Sequence, residues 1–176
     1  MGVFKIVILG PESTGKTTLV KQLAEHFNTE WVPEYARQFI DELGRSYQES
    51  DLLEIAKGQL QQEDEIASKS DGFLFFDTNL ITIKIWSDYK YGRTDPWILE
   101  SMKTRKYDFY LLTDIDLPWE SDPQREHPNE RQELFDLYKD YLESNQLPFE
   151  VVWGLELNRF ENALRHIKNR FNLKSD

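Results

Sequence analysis

Two rhythms of apolar and polar positions alternate along this chain. Short, nearly continuous apolar runs predict buried strands at Val3 to Leu9, Glu30 to Val32, "FLFFDT" after Gly72, "YDFYLLTD" and "FEVVW". Between them, apolar residues recur at helical spacing. Val20, Leu23, Ala24 and Phe27 predict the first helix, and "PEYARQFIDEL" carries a second. Ser50 and Asp51 read as caps for a long third helix with Leu53, Ala56, Leu60 and Ala67 on one face. "NLITIKIWSDYKYG" reads as a helix despite its β-branched residues. Leu134, Leu137, Tyr138, Tyr141 and Leu142 mark another helix, and Asn158 caps a last one with Phe160, Leu164, Ile167 and Phe171 inward. "IDLPWESDPQREHP" is polar, holds three prolines, and reads as a loop. Strands that are apolar throughout and alternate with helices predict an α/β fold with a parallel sheet covered on both faces.

The 176 residues are enough for one domain with a sizeable core, and the expected organisation is a single unit over residues 1–176. Hydrophobic residues make up 39% of the chain and aromatics 14%, which excludes disorder. The formal net charge of −11 argues against a nucleic-acid backbone as partner. With no cysteine there is neither a disulfide framework nor thiolate chemistry. The three histidines (His26, His127, His166) lack metal-ligand spacing. The first apolar run is too short for a signal peptide or membrane span, so a soluble, cytoplasmic protein without a membrane partner is expected.

Chemistry first enters between the first strand and the first helix. Gly10-Pro11-Glu12-Ser13-Thr14-Gly15-Lys16-Thr17, followed by Thr18, fits the P-loop pattern without a mismatch. Glycines let such a loop curl its N–H groups around phosphate oxygens, and the helix that follows adds its positive end. Lys16 is expected on the β- and γ-phosphates and Thr17 on Mg²⁺. The expected ligand is ATP, and no N/T-K-x-D motif for guanine is present.

Three further polar segments flank predicted strand ends, where parallel sheets bind ligands. Glu34 follows the second strand; it reads either as the base for an acceptor hydroxyl or as half of a surface pair with Arg37. Asp77 ends "FLFFD" as a Walker-B carboxylate would, although Asp77 or Thr78 would equally suit a helix cap. The loop over about residues 115–128 carries Arg125, with Arg131 just beyond it, and reads either as a lid over the γ-phosphate or as a solvated, charge-mixed loop. Trp86, Tyr89 and Tyr91 follow Asp77; aromatics at such spacing are usually core, yet one of them could stack a flat substrate ring.

Taken in order, "GPESTGKTTL", "WVPEYAR", "LLEIAKGQ", "FFDTNLITIKIW" and "LLTDIDLPWESDPQRE" resemble the ribosylnicotinamide kinase domain of the NadR family, in the P-loop kinase group. The resemblance covers roughly residues 3 to 170, and "PEYAR" with "TDIDLPW…R" is its specific part. It implies a P-loop NTPase three-layer sandwich with a five-stranded parallel sheet of the nucleotide-kinase type. It also implies transfer of the ATP γ-phosphate to the 5′-hydroxyl of nicotinamide riboside, giving nicotinamide mononucleotide. Under it Lys16, Glu34, Asp77 and Arg125 carry catalysis, with Glu34 as base and Asp77 on metal or substrate hydroxyl, two roles that could be exchanged. Arg37, Trp86 and Tyr89 join Glu34 and Asp77 around the acceptor. Residues 10 and 12–18 hold the nucleotide, and Thr17 and Asp77 the metal. Some family members carry a DNA-binding segment and an adenylyltransferase domain before the kinase; with Met1 so close to the first strand, neither function is expected. Asn79 stands where relatives often have an acidic residue, which leaves open a secondary metal or ribose contact.

Two other readings stay open. One is a kinase for another nucleoside or deoxynucleoside. The other is a non-catalytic module that changes shape when ATP binds.

Overall fold

The computed structural model describes residues 2–173, so the ends of the expected 1–176 unit lie outside the described residues. Five strands form one sheet: β1 (Phe4–Leu9), β2 (Trp31–Val32), β3 (Phe73–Asp77), β4 (Phe109–Thr113) and β5 (Phe149–Val152). Their order is β2-β3-β1-β4-β5, and every neighbouring pair is parallel. Among the described residues seven helices connect and cover them: α1 (Lys16–His26), α2 (Tyr35–Leu43), α3 (Glu49–Ala67), α4 (Leu80–Tyr91), α5 (Pro96–Thr104), α6 (Arg131–Ser144) and α7 (Glu156–Phe171).

Side chains alternate across each strand, so the central strands feed two cores at once. Ile6, Ile8, Phe75 and Leu111 pack with Leu19, Leu23, Ala163 and Ile167 of α1 and α7. Val7, Leu9, Leu74, Phe76 and Leu112 pack on the opposite face with Ile81, Leu134, Tyr138 and Leu142 of α4 and α6. Each such side chain, fully buried, contributes about 1.5–3 kcal/mol. A third cluster joins α2, α3, α4 and α5 through Ala36, Ile55, Ala56, Leu80, Ile83 and Ile98.

The expected parallel sheet and its two covered faces are present, and expectations for three of the helices are corrected. In α3 the cap is Gln48, with Asp51 completing a capping box from the third helical position. The buried residues of α3 are Asp51, Leu52, Ile55, Ala56, Gln59, Leu60 and Glu63; Ala56 and Leu60 are inward as expected, while Leu53 and Ala67 are only partly buried and three polar side chains share the face. In α6 Leu137 is exposed, since Leu134, Tyr138 and Leu142 at i, i+4, i+8 already fill the contact. In α7 the cap is Leu155 rather than Asn158, and Arg159 and Asn162 lie among its buried residues. Helix α5 went unread in the sequence, although Asp95 caps it through the Trp97 amide and Pro96 occupies its first position, a recognisable start signal. It buries only Ile98, too little for a periodic pattern. No helix among the described residues is long and apolar enough to cross a membrane.

Candidate active site

The carboxyl ends of β1, β2, β3 and β4 converge on one cleft. At its floor the chain leaves β1 through Gly10, with φ 144°, passes Ser13 with φ 58°, and enters α1 through Gly15 with φ 75°. A Cβ on Gly10 would overlap Thr113 Oγ1, so only glycine lets the loop cross this close to β4. Thr113 in turn donates to Leu9 O at 3.0 Å and meets Thr14 Oγ1 at 2.7 Å. The loop is therefore braced from its neighbouring strand as well as by its own turn.

Lys16 Nζ donates to Pro11 O at 2.7 Å, bending over the loop it belongs to. Thr17 Oγ1 donates to Asp77 Oδ2 at 2.5 Å, bringing the P-loop helix to the end of β3. The second oxygen, Asp77 Oδ1, is buried and has no hydrogen-bond partner among the described residues. Asp77 does not cap a helix: Asn79 caps α4 by accepting from Ile81 N at 3.0 Å. Of the two expectations for Asp77, this geometry removes the cap and assigns it to Asn79. Thr78 between them has φ 68°, an unusual conformation for a β-branched residue and a strained link at the cleft edge.

Glu34 stands at the cap position of α2 and makes no capping bond with its side chain. It lines the same cavity as Lys16, of about 560 Å³, which also takes in Arg37, Trp86 and Arg125. Burial, with the nearby Asp77 carboxylate adding to it, raises the Glu34 carboxyl to about 7, against the pull of Lys16 and Arg37. Burial also raises Asp77, opposed by the Thr17 hydrogen bond and by Lys16. Lys16 is lowered by burial and held up by Glu34, Asp77 and Glu12. Two carboxyl groups thus share one ammonium in a confined, poorly hydrated space.

The expected lid is folded down on the P-loop. Glu120 N donates to Ser13 Oγ at 2.8 Å, and Arg125 Nη1 reaches the same oxygen at 3.4 Å. Glu12 points at the lid: its carboxylate accepts from Glu126 N at 3.1 Å and His127 N at 3.0 Å. Arg37 pairs with Asp122, which raises the guanidinium, while the Gln124 amide and then Arg37 lower the Asp122 carboxyl; Arg37 thus latches the lid to α2 while lining the cavity. Arg131 donates to Ser13 O, Ile115 O and Leu117 O, fastening the root of the lid.

The structure thus gathers residues 12–18, Glu34, Arg37, Trp86 and Arg125 around one cavity, with Asp77 bonded to Thr17 at its floor. Tyr89 is outside that set: its hydroxyl donates to Glu133 Oε2 at 3.0 Å and its ring meets His127 edge-on. The far end of the cavity is lined by Leu155, Glu156 and Arg159 from the β5–α7 turn, which sequence reasoning missed. Arg159 pairs with Asp116 at the start of the lid and donates to Gly154 O at 2.9 Å. Its position just past a strand's carboxyl end was the available signal.

Fold and site define a P-loop NTPase: a five-stranded parallel sheet with helices on both faces and the loop at the end of its central strand. The chain belongs to the AAA domain family, whose model matches residues 5–159. It is 32% identical over 152 residues to the trifunctional NAD biosynthesis/regulator protein NadR of Escherichia coli (strain K12), covering 82% of this chain and 37% of that protein. A solved NadR structure in complex with NR matches with a TM-score of 0.85 at 20% identity, over 99% of this chain and 51% of that one. A NadR structure in complex with NAD and AMP-PNP matches at 0.82, also with 20% identity and the same coverage of both chains. The chain therefore spans about a third to a half of the length of these relatives.

Proposed function

We propose that this protein is an ATP-dependent kinase that phosphorylates the 5′-hydroxyl of nicotinamide riboside. The observation that carries the reading is a carboxyl at about 7, Glu34, lining one cavity with Lys16 and Thr17 beneath a lid, with Asp77 bonded to Thr17. A base that titrates near neutrality is matched to taking a proton from a sugar hydroxyl. Kinship with NadR, and NR as the ligand in one matched NadR structure, support nicotinamide riboside as acceptor. Its pyridinium ring is a flat cation, suited to a cavity with Trp86 on its wall and carboxylates on its floor. A nucleoside monophosphate would instead bring negative charge toward Glu34 and Asp77.

Loop amides and Lys16 hold the triphosphate, Glu34 accepts the hydroxyl proton, and Arg125 closes over the transferring group. Lid closure keeps water from taking the acceptor's place. The Thr17 hydroxyl and the unpartnered Asp77 Oδ1 fit a hard divalent cation, so these two residues would hold Mg²⁺, directly or through water. When bound, Mg²⁺ neutralises charge on the β- and γ-phosphate oxygens.

ADP release measured across a nucleoside panel tests the reading. Turnover with nicotinamide riboside well above that with thymidine, deoxycytidine or water is expected. Preference for a deoxynucleoside would replace the substrate, and nucleotide binding without acceptor-stimulated turnover would replace the enzyme.

A further inference from the structure

The Glu34 turn lacks the support that helix starts ordinarily carry. A cap residue usually turns its side chain back onto the first free amides of its helix. Glu34 holds the cap position of α2 and does not do so, because its carboxylate faces the cleft. Another of the free amides at this helix start, that of Tyr35, is bonded from elsewhere. Gln59, in the middle of α3, accepts from Tyr35 N at 3.0 Å through Oε1. One turn on, Gln62 Nε2 donates to Pro33 O at 2.7 Å. The residues before and after Glu34 are therefore both held by side chains of α3.

Gln59 is itself fixed. Its Nε2 donates to Glu63 Oε1 at 3.2 Å, and Tyr107 O–H donates to Glu63 Oε2 at 2.7 Å. A carboxylate at one end and an N–H donor at the other allow only one orientation of the amide. Gln59 and Glu63 are each 2% exposed, on a helix face otherwise made of Leu52, Ile55, Ala56 and Leu60. Buried polar groups on a packing face are costly unless they are bonded, and each polar side-chain atom of these two has a partner. Gly58 completes the arrangement: a Cβ there would overlap the Tyr35 ring, so glycine in mid-helix seats the residue that follows Glu34.

We propose that the Gly58-Gln59-Gln62-Glu63 face of α3, anchored by Tyr107, is a positioning device for Glu34: it holds the backbone on both sides of Glu34, so that the turn stands without a capping bond from the Glu34 carboxylate and leaves it for the acceptor hydroxyl. The device rests on the kinase reading for its purpose, but its effect on Glu34 is measurable without turnover.

The test compares Gln59→Met and Glu63→Gln with the unaltered protein in three measurements: steady-state kinetics with nicotinamide riboside, Mg·ATP affinity by calorimetry, and the titration of Glu34 by carboxyl ¹³C NMR, its signal assigned with Glu34→Gln. Gln59→Met keeps the length of the side chain and removes the acceptor. It is expected to lower kcat ten- to a hundredfold, to leave Mg·ATP affinity within about twofold, and to move the Glu34 midpoint from about 7 toward the ordinary carboxylate range. Glu63→Gln can still bond both partners and is expected to retain near-normal kcat. Unchanged kcat and an unmoved Glu34 midpoint in Gln59→Met would overturn the device, as would an equal loss of kcat and Mg·ATP affinity. If Gln59→Met does not fold, Gln62→Met is read in the same way through its bond to Pro33. If the unaltered protein transfers nothing to the riboside, the proposed function falls, and the Glu34 midpoint alone decides the device.

Discussion

The two halves of the cleft are built by opposite means. On the phosphate side, eight consecutive residues make the site: Gly10 and Gly15 turn the backbone, Lys16 and Thr17 start the helix, and one strand partner, Thr113, braces the loop. On the side proposed for the acceptor, Glu34 sits on a two-bond suspension from α3, and its neighbour Arg37 is tied to a lid more than eighty residues away. A local loop carries its geometry in its own sequence. A suspended residue takes its geometry from side chains remote in the chain, and is correspondingly easier to disturb without touching the chemistry.

The largest effect should come from the local side. Lys16→Ala is expected to lower phosphoryl transfer about 10³-fold or more while the thermal transition persists, read by ADP release and by calorimetric unfolding. A modest loss would make the phosphate side less decisive than this contrast requires. Next, Glu34→Gln is expected to lower kcat about 10²–10³-fold with little change in Mg·ATP affinity. In the unaltered protein kcat/KM should rise about tenfold per pH unit and level off above about 7, and the substitution should erase that rise. A pH profile that survives in Glu34→Gln would hand the base role to Asp77. Arg125→Ala should slow transfer about tenfold and raise the share of ATP lost to water, since the lid then closes without its cation.

The smallest effect concerns stability. Glu34, Asp77 and Glu63 are all raised in the folded chain, so the folded state holds their protons more tightly than the unfolded chain does. Their contribution is complete below the ordinary range near 4.5 and is lost as pH climbs, for Glu34 through about 7. The melting temperature of the ligand-free protein should therefore drift downward between about pH 5 and 7, and Glu34→Gln should flatten the drift. Asp51 and Asp64 are lowered by their arginine partners and Asp122 by the Gln124 amide and then Arg37; all three act in the opposite sense at more acidic pH, which keeps the two windows apart.

The same division governs what could be read from the sequence. The P-loop, the Asp77 strand end and the order of the strands and of every helix but α5 were legible, because each is a contiguous pattern. The inner face of α3 was not: Gln59 and Glu63 look like solvent positions, and their burial follows from what α2 and Tyr107 bring to them. Tyr89 failed for a related reason. It lies one helical turn from Trp86, but it was the contact of α4 with His127 and Glu133 that decided which way its ring faces. Gly58 is the one local clue to the hidden face, since glycine costs an exposed helix interior about 1 kcal/mol relative to alanine and invites a reason.

Arg131 sends its hydrogen bonds to three carbonyl oxygens, one of them in the phosphate loop. A carbonyl, unlike a carboxylate, leaves the full positive charge of its donor in place. The rivet that fastens the flap is thus also a standing counter-charge at the rim of the phosphate cradle. Under the proposed function, a triphosphate arriving there meets a field already switched on before any part of the flap has to move.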